Sequence, residues 1–152
     1  MMNRWAPAGL LLIALAAFVA PMLRVSGNAP IHFTGTELVM GTTFQPGSPL
    51  AFLGHVQPEP AAQLAAAGCL LALVAASLGD ARWRRLGSLL AAGGVAAMLL
   101  LPWRSVSVAP RLVTRGMEIA PETGYYVALI ALAAASVWLA VMPGAAARGE
   151  HR

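Results

Sequence analysis

The sequence predicts an all-α membrane protein. The expected architecture is a four-transmembrane-helix bundle made of two parallel helix–loop–helix repeats, with a small β-rich extracytoplasmic cap from the two outer loops. Three observations lead there. The composition is 59% hydrophobic and 11% charged with a mean hydropathy of +0.71, far from the roughly one-quarter charged residues of a soluble globule. Four apolar runs of about 18 or 19 residues match the roughly 20 residues needed to cross a ~30 Å hydrocarbon core. A pattern also recurs about 80 residues apart: Arg24/Arg104, Pro30/Pro110 and Thr34/Thr114 align at one offset, Gly35/Gly116 and Glu37/Glu118 one residue later.

By length the 152 residues form one integral membrane domain. The first span is expected at about 5–23. A basic start and apolar centre resemble a secretory signal, but the run is long enough to span and Pro30 follows the nearest small-residue site, so it reads as an anchor. The outer loop 24–59 is rich in Gly, Pro, Thr and Ser. Its β-branched and aromatic residues predict one or two short strands, residues 45–49 a turn, and residues 49–56 an interfacial segment. Pro60 suits the first position of a second span at about 60–79. There Gly68, Ala72 and Ala76 recur four apart, the spacing that lets helix backbones approach in lipid.

Residues 80–85 are expected as a short inner connection, making the flanking helices antiparallel neighbours. The third span, about 86–103, carries Gly93 and Gly94 as further packing candidates. Ser105 to Val108 alternate as a short strand would, within an outer loop at 104–123. Thr123 suits the cap of a fourth span at about 124–142. Pro143 and Gly144 end it, and the tail 143–152 is expected to be cytoplasmic.

Arginine placement orients the chain. With both termini cytoplasmic, the inner segments hold Arg4, Arg82, Arg84, Arg85, Arg148 and Arg152, against Arg24, Arg104, Arg111 and Arg115 in longer outer loops, as the positive-inside rule favours. Trp5 and Trp83 then anchor the inner interface, and Trp103, Tyr125 and Tyr126 the outer one. All ten basic residues are arginine, which fits a GC-rich genome and a bacterial inner (cytoplasmic) membrane. They show no aromatic interleaving of a nucleic-acid kind, so lipid is the expected partner and nucleic acid is not.

Chemistry-bearing groups are sparse. His32 and His55 lie in the first loop and His151 in the tail, so no span carries a histidine for a haem, and no ligand spacing predicts a metal. Cys69 is the single cysteine, which excludes a dithiol redox site and reads as a small packing residue. Ser77, Ser88 and Ser136 lack a neighbouring His in sequence and are expected to bond back to their own helices. No apolar run holds an ionisable residue of the kind ion-coupled carriers use. No cofactor is therefore expected. Arg24, Arg104, Glu37 and Glu118 are the candidate structural pairs: each Arg is expected to bind a Glu of its own or the other copy, fixing the cap on the bundle.

A longer first outer loop, a short basic inner connection and a shorter second outer loop resemble the claudin-type tetraspan plan. The resemblance is one of topology. The Trp-rich signature and paired loop cysteines of that family are absent here, so it implies no site residue and no adhesion function. The expected function is a non-catalytic accessory, packing or assembly subunit of a larger membrane complex, with other integral membrane subunits as partners. The alternatives are an oligomeric channel or carrier with its pathway between chains, and an outer-face binding module.

Overall fold

The computed structural model describes residues 5–26, 30–44, 55–108 and 118–141. The expected turn at 45–49, nearly all of the interfacial segment 49–56, Pro110, Thr114 and Gly116 of the repeat, Arg111 and Arg115, and the tail 143–152 lie outside them. The described chain is mostly helical, with three helices long and apolar enough to cross a membrane, together with a small sheet.

Helix α1, Ala6–Ala17, has 12 residues and so spans only about 18 Å. Sequence placed its end near Leu23. It stops earlier because Pro21 cannot donate the next helical bond and its ring disfavours helical backbone at Ala20. The last turn tightens, with Phe18, Val19 and Ala20 N–H groups donating to the carbonyls of Leu15, Ala16 and Ala17 at 3.1 Å. The chain then extends as β1, Pro21–Ser26, and returns as β2, Ile31–Thr34.

Strand β1 is the centre of an antiparallel sheet of order β2-β1-β5, where β5 is Glu118–Pro121. Arg24 lies across from His32 on one side and Ala120 on the other. The register slips between Pro21 and Leu23, a bulge that lets consecutive Met22 and Leu23 both turn inward. Beyond it the alternation is regular: Val25, Ile31 and Phe33 are buried, while Arg24 and His32 face outward.

Residues after β2 do not continue as strand. Thr34 and Glu37 form a reciprocal capping box that starts helix α2, Gly35–Met40, satisfying two otherwise orphaned donors. Gly35 is required by crowding, since a Cβ there would sit 2.7 Å from the Phe18 ring and 2.8 Å from its backbone. A two-residue ladder follows, β3 Thr42–Thr43 with β4 His55–Val56.

Helix α3, Pro60–Leu78, ends at Gly79 in the left-handed conformation (φ 79°), a C-terminal geometry that costs glycine little. Only Gly79 and Asp80 separate it from helix α4, Ala81–Val108. The expected 80–85 connection is therefore mostly helix, because Ala and Arg are good helix formers and Asp80 already supplies the carbonyl for Arg84 N–H at 3.0 Å. Helix α4 also runs through Pro102 to Val108, overriding the four-residue alternation that suggested a strand. Propagating an existing helix gains one bond per residue fixed, whereas a new strand needs a partner. Helix α5, Thr123–Val141, completes the described chain.

Helix α1 packs on α3 and α5, and α4 packs on the same two helices. Gly87 of α4 lies against Ala72, Ala75 and Leu139, and Gly94 against Ala65 and Leu132. Counting along these antiparallel contacts brings Leu101 level with the first residues of α3 and α5. Residues 102–108 then rise roughly 10 Å farther, alongside the sheet. The repeat-matched positions fall in unlike elements: Arg24 is in a strand and Arg104 in a helix, while Glu37 is helical and Glu118 opens a strand.

Candidate functional site: the polar junction at the sheet end of the helices

Among the described residues the charged side chains divide between two ends of the helices. At the sheet end lie Arg24, Glu37, Glu59, Arg104, Glu118 and Glu122, with His32 and His55. At the other end, around the α3–α4 turn, lie Asp80, Arg82, Arg84 and Arg85. Between them the inward face of α3 is built from small side chains, against which Leu11, Met98, Leu132 and Leu139 are buried from the other helices.

Glu59 is the centre of the junction. It is the N-cap of α3, ahead of Pro60, and among the described residues it is the buried charged one, 6% exposed. Its Oε1 accepts from Ala61 N at 3.4 Å and faces Arg104 Nε at 3.2 Å. Its own N–H donates to Leu38 O at 2.7 Å. One turn on, Gln63 Nε2 donates to Val39 O at 3.0 Å. The start of α3 thus satisfies the last carbonyls of α2, and Arg104 reaches down from the α4 extension to neutralise the carboxylate. An unpaired carboxylate buried there would be costly.

The expected arginine partners are rearranged. Arg104 takes Glu59, whose role was not read from the sequence. Glu37 Oε2 instead accepts from Thr34 N at 2.8 Å and from Thr34 Oγ1 at 3.0 Å, so it serves its own helix. Glu118 engages through its backbone, exchanging bonds with Ser26 Oγ at 3.0 and 3.3 Å. Arg24 projects from the outer face of β1 beside His32. A second pair, His32 Nδ1 with Glu122 Oε2 at 2.8 Å, ties β2 to the residue before α5. Glu122 N–H also donates to Met22 O at 2.9 Å. His55 Nδ1 lies 3.0 Å from Thr43 Oγ1 across the small ladder.

The signal for Glu59 was faint. Glu is not among the preferred N-caps, and the run Gln57-Pro58-Glu59-Pro60 reads first as a loop. Its partner lies in the second half of the chain, so no local spacing links them. Among the described residues no group of three or more His, Cys, Asp or Glu side chains could hold a metal ion. The pairs at this end do mechanical work, joining strands and helices that are distant in sequence.

The packing candidates are not equivalent. A Cβ on Gly68 would lie 2.8 Å from Leu90 O and 3.4 Å from Gly94, so Gly68 and Gly94 set the α3–α4 approach. Ala72 is fully buried and Ala76 partly so. Gly93 faces outward, with nothing within 4 Å of where its Cβ would be. Cys69 is buried, and its Sγ donates to Leu11 O at 3.3 Å. Ser77 bonds back to Val74 O at 2.7 Å in its own helix. Ser88 and Ser136 instead bond across helices: each hydroxyl donates to the other's carbonyl, at 2.9 and 3.1 Å. Of the aromatic anchors, Trp5, Trp83, Trp103 and Tyr126 are exposed, whereas Tyr125 is buried with its ring edge-on to Tyr126 at 5.3 Å. Gly124 permits that inward turn, since a Cβ there would meet Pro21 O at 2.6 Å.

Neither a protein-family model, nor a curated protein, nor a solved structure matches the chain.

Proposed function

We propose that the protein is a non-catalytic accessory, packing or assembly subunit of a larger membrane complex, with other integral membrane subunits and lipid as its partners. The observation that carries this reading is the sorting of side chains by size on α3, together with the large apolar surface all three long helices leave exposed. Inward positions on α3 are Ala61, Ala62, Ala65, Gly68, Cys69 and Ala72, while Leu64, Leu70, Leu71, Val74 and Leu78 point out. Helices α4 and α5 also expose large apolar side chains, Leu89, Leu99, Leu100, Ile130 and Val137, while burying Met98, Leu101, Leu132 and Leu139 beside their alanines. Close approach of small residues is the packing mode of helices in lipid, and only 33–39% of each long apolar stretch is buried within the chain. The Cys69 thiol and the Ser88 and Ser136 hydroxyls are spent on backbone carbonyls, which weighs against a polar pathway through one copy.

In this reading α1 is a fourth crossing. The Cys69–Leu11 bond sets the middle of α1 beside the middle of α3, within the same apolar slab. Helices α1 and α4 then run one way and α3 and α5 the other, giving two helix–connector–helix units of one orientation. The sheet, uniting residues from both connectors, forms the extracytoplasmic cap. The cluster Arg82, Arg84 and Arg85 at the opposite end supports, by the positive-inside rule, a cytoplasmic location for that end, and the reading assigns both termini to the same side of a bacterial-type inner membrane.

Extraction in a gentle detergent followed by mass spectrometry of the intact assemblies tests the reading. Co-purification with a stable set of larger membrane subunits is expected. A homo-oligomer with no other subunit would overturn it in favour of a channel or carrier formed between chains. A monomer that captures a soluble ligand would overturn it in favour of a binding module.

A further inference from the structure

We infer that the first turn of α4 is a docking site for the phosphate headgroup of an anionic phospholipid, held by Arg82 and Arg85 and flanked by Trp83. The inference rests on the reading that the long helices cross a membrane, and it goes beyond the proposed role of the chain in a complex.

The geometry is set by the brevity of the α3–α4 turn. Because α4 begins two residues after α3 ends, Arg82, Arg84 and Arg85 are not spread along a loop but wound onto one helical turn. Arg82 and Arg85, three apart, share a face, and both are exposed. No acidic residue lies in that first turn, and Asp80 is the only carboxylate in the segment from Gly79 to Arg85. The two exposed guanidiniums of Arg82 and Arg85 therefore share one helical face with no acidic side chain in the same turn.

That arrangement is unfavourable without an anion. A helix amino terminus already carries roughly half a positive charge, so cations belong at the other end of a helix. Here Arg82 and Arg85 sit at the disfavoured end and repel one another as well. An anion at this turn relieves both terms and also meets unpaired backbone N–H groups.

The depth selects the source of the anion. Leu78 at the end of α3 is exposed, and Leu86 and Leu89 carry an exposed apolar surface onward from one turn past Arg82. The guanidiniums thus stand just outside the apolar band, at the level where phosphodiester headgroups lie, and Trp83, 43% exposed, has the amphipathic ring that favours that level. Arginine's planar fork suits two phosphate oxygens at once. The sheet end lacks this character, with four carboxylates against Arg24 and Arg104 among its described residues.

Native mass spectrometry of the full chain in gentle detergent tests the site, offering phosphatidylglycerol, phosphatidylcholine of the same acyl chains, and inorganic phosphate. The wild-type chain is expected to retain phosphatidylglycerol in preference to phosphatidylcholine, with the preference falling as salt rises. At roughly a fivefold contribution for each basic residue near an anionic surface, Arg82→Gln or Arg85→Gln weakens retention about fivefold, and the double variant about 30-fold. Arg82→Lys with Arg85→Lys keeps most of the preference, and Arg24→Gln at the other end changes it less than twofold. Equal retention of the two lipids, or an unchanged preference in the double Gln variant, would overturn the site. Retention of inorganic phosphate equal to that of phosphatidylglycerol would overturn the lipid as its source. A carbonate wash separates the two readings. Membranes that hold the washed chain while lipid preference is absent sink the headgroup site alone, whereas release of the wild-type chain sinks the membrane-spanning reading and the site with it.

Discussion

Breaking the Glu59–Arg104 pair gives the sharpest test of how the sheet is held to the helices. Two unit charges ~4 Å apart attract by about 4 kcal/mol at an effective dielectric of about 20. Desolvating Glu59, 6% exposed, and solvent screening on the Arg104 side, 52% exposed, remove most of that. We expect a net coupling of about 1–2 kcal/mol. Arg104→Ala does more than delete the coupling, because among the described residues it leaves the buried carboxylate with the long 3.4 Å bond from Ala61 N. Its loss is expected at about 2–3 kcal/mol, discounted from the 3–5 kcal/mol of a fully buried pair. Glu59→Gln leaves a neutral amide and loses about 1 kcal/mol. Reversible unfolding of the purified protein in mixed micelles, followed by circular dichroism, measures all three variants. The double variant should lose about 1–2 kcal/mol less than the sum of the singles. Losses that add to within about 0.3 kcal/mol would refute the argument. Arg104→Ala and Glu118→Ala should, by contrast, be additive, because the contacts of Glu118 with Ser26 run through its backbone.

Three other outcomes follow from the packing. Gly68→Ala should destabilise by about 1–3 kcal/mol because the added carbon meets Leu90 O at 2.8 Å, whereas Gly93→Ala should be neutral or stabilising by up to about 1 kcal/mol; unfolding in micelles ranks the two, and equal effects would contradict the facing assigned to them. Thr34→Val should lose about 1 kcal/mol with the capping box, read as faster amide exchange confined to Gly35–Met40. Ser88→Ala and Ser136→Ala should each lose about 0.6 kcal/mol, with the double variant showing whether the two hydroxyls act as one clasp.

How far these features could be read from the chain differs by element. The three long helices were legible because crossing hydrocarbon is a requirement on length and apolarity, and both are properties of a single stretch of sequence. Legibility failed at α1, where an apolar run of span length hides a break: hydropathy cannot see Pro21, but backbone geometry can. It failed again at residues 105–108, where alternation mimicked a strand within a helix already under way. The packing glycines were recognised as a class, yet the opposite fates of adjacent Gly93 and Gly94 depend on which face the neighbouring helices occupy.

The charged residues show the same division. That Glu37 and Thr34 cooperate is written in their three-residue spacing, as a capping box requires. That Arg104 neutralises Glu59, and that His32 meets Glu122, joins residues 45 and 90 positions apart by subtraction of their numbers, and no local rule selects those partners. The sequence by itself determined that three helices are apolar and long enough to cross a membrane, and how few reactive groups the chain has, since each follows from composition over a window of chain. The tertiary structure alone decided which strand pairs with which, which carboxylate is buried and which arginine covers it. Those choices are made between segments that meet only after folding, by whichever arrangement leaves the fewest buried polar groups unpaired.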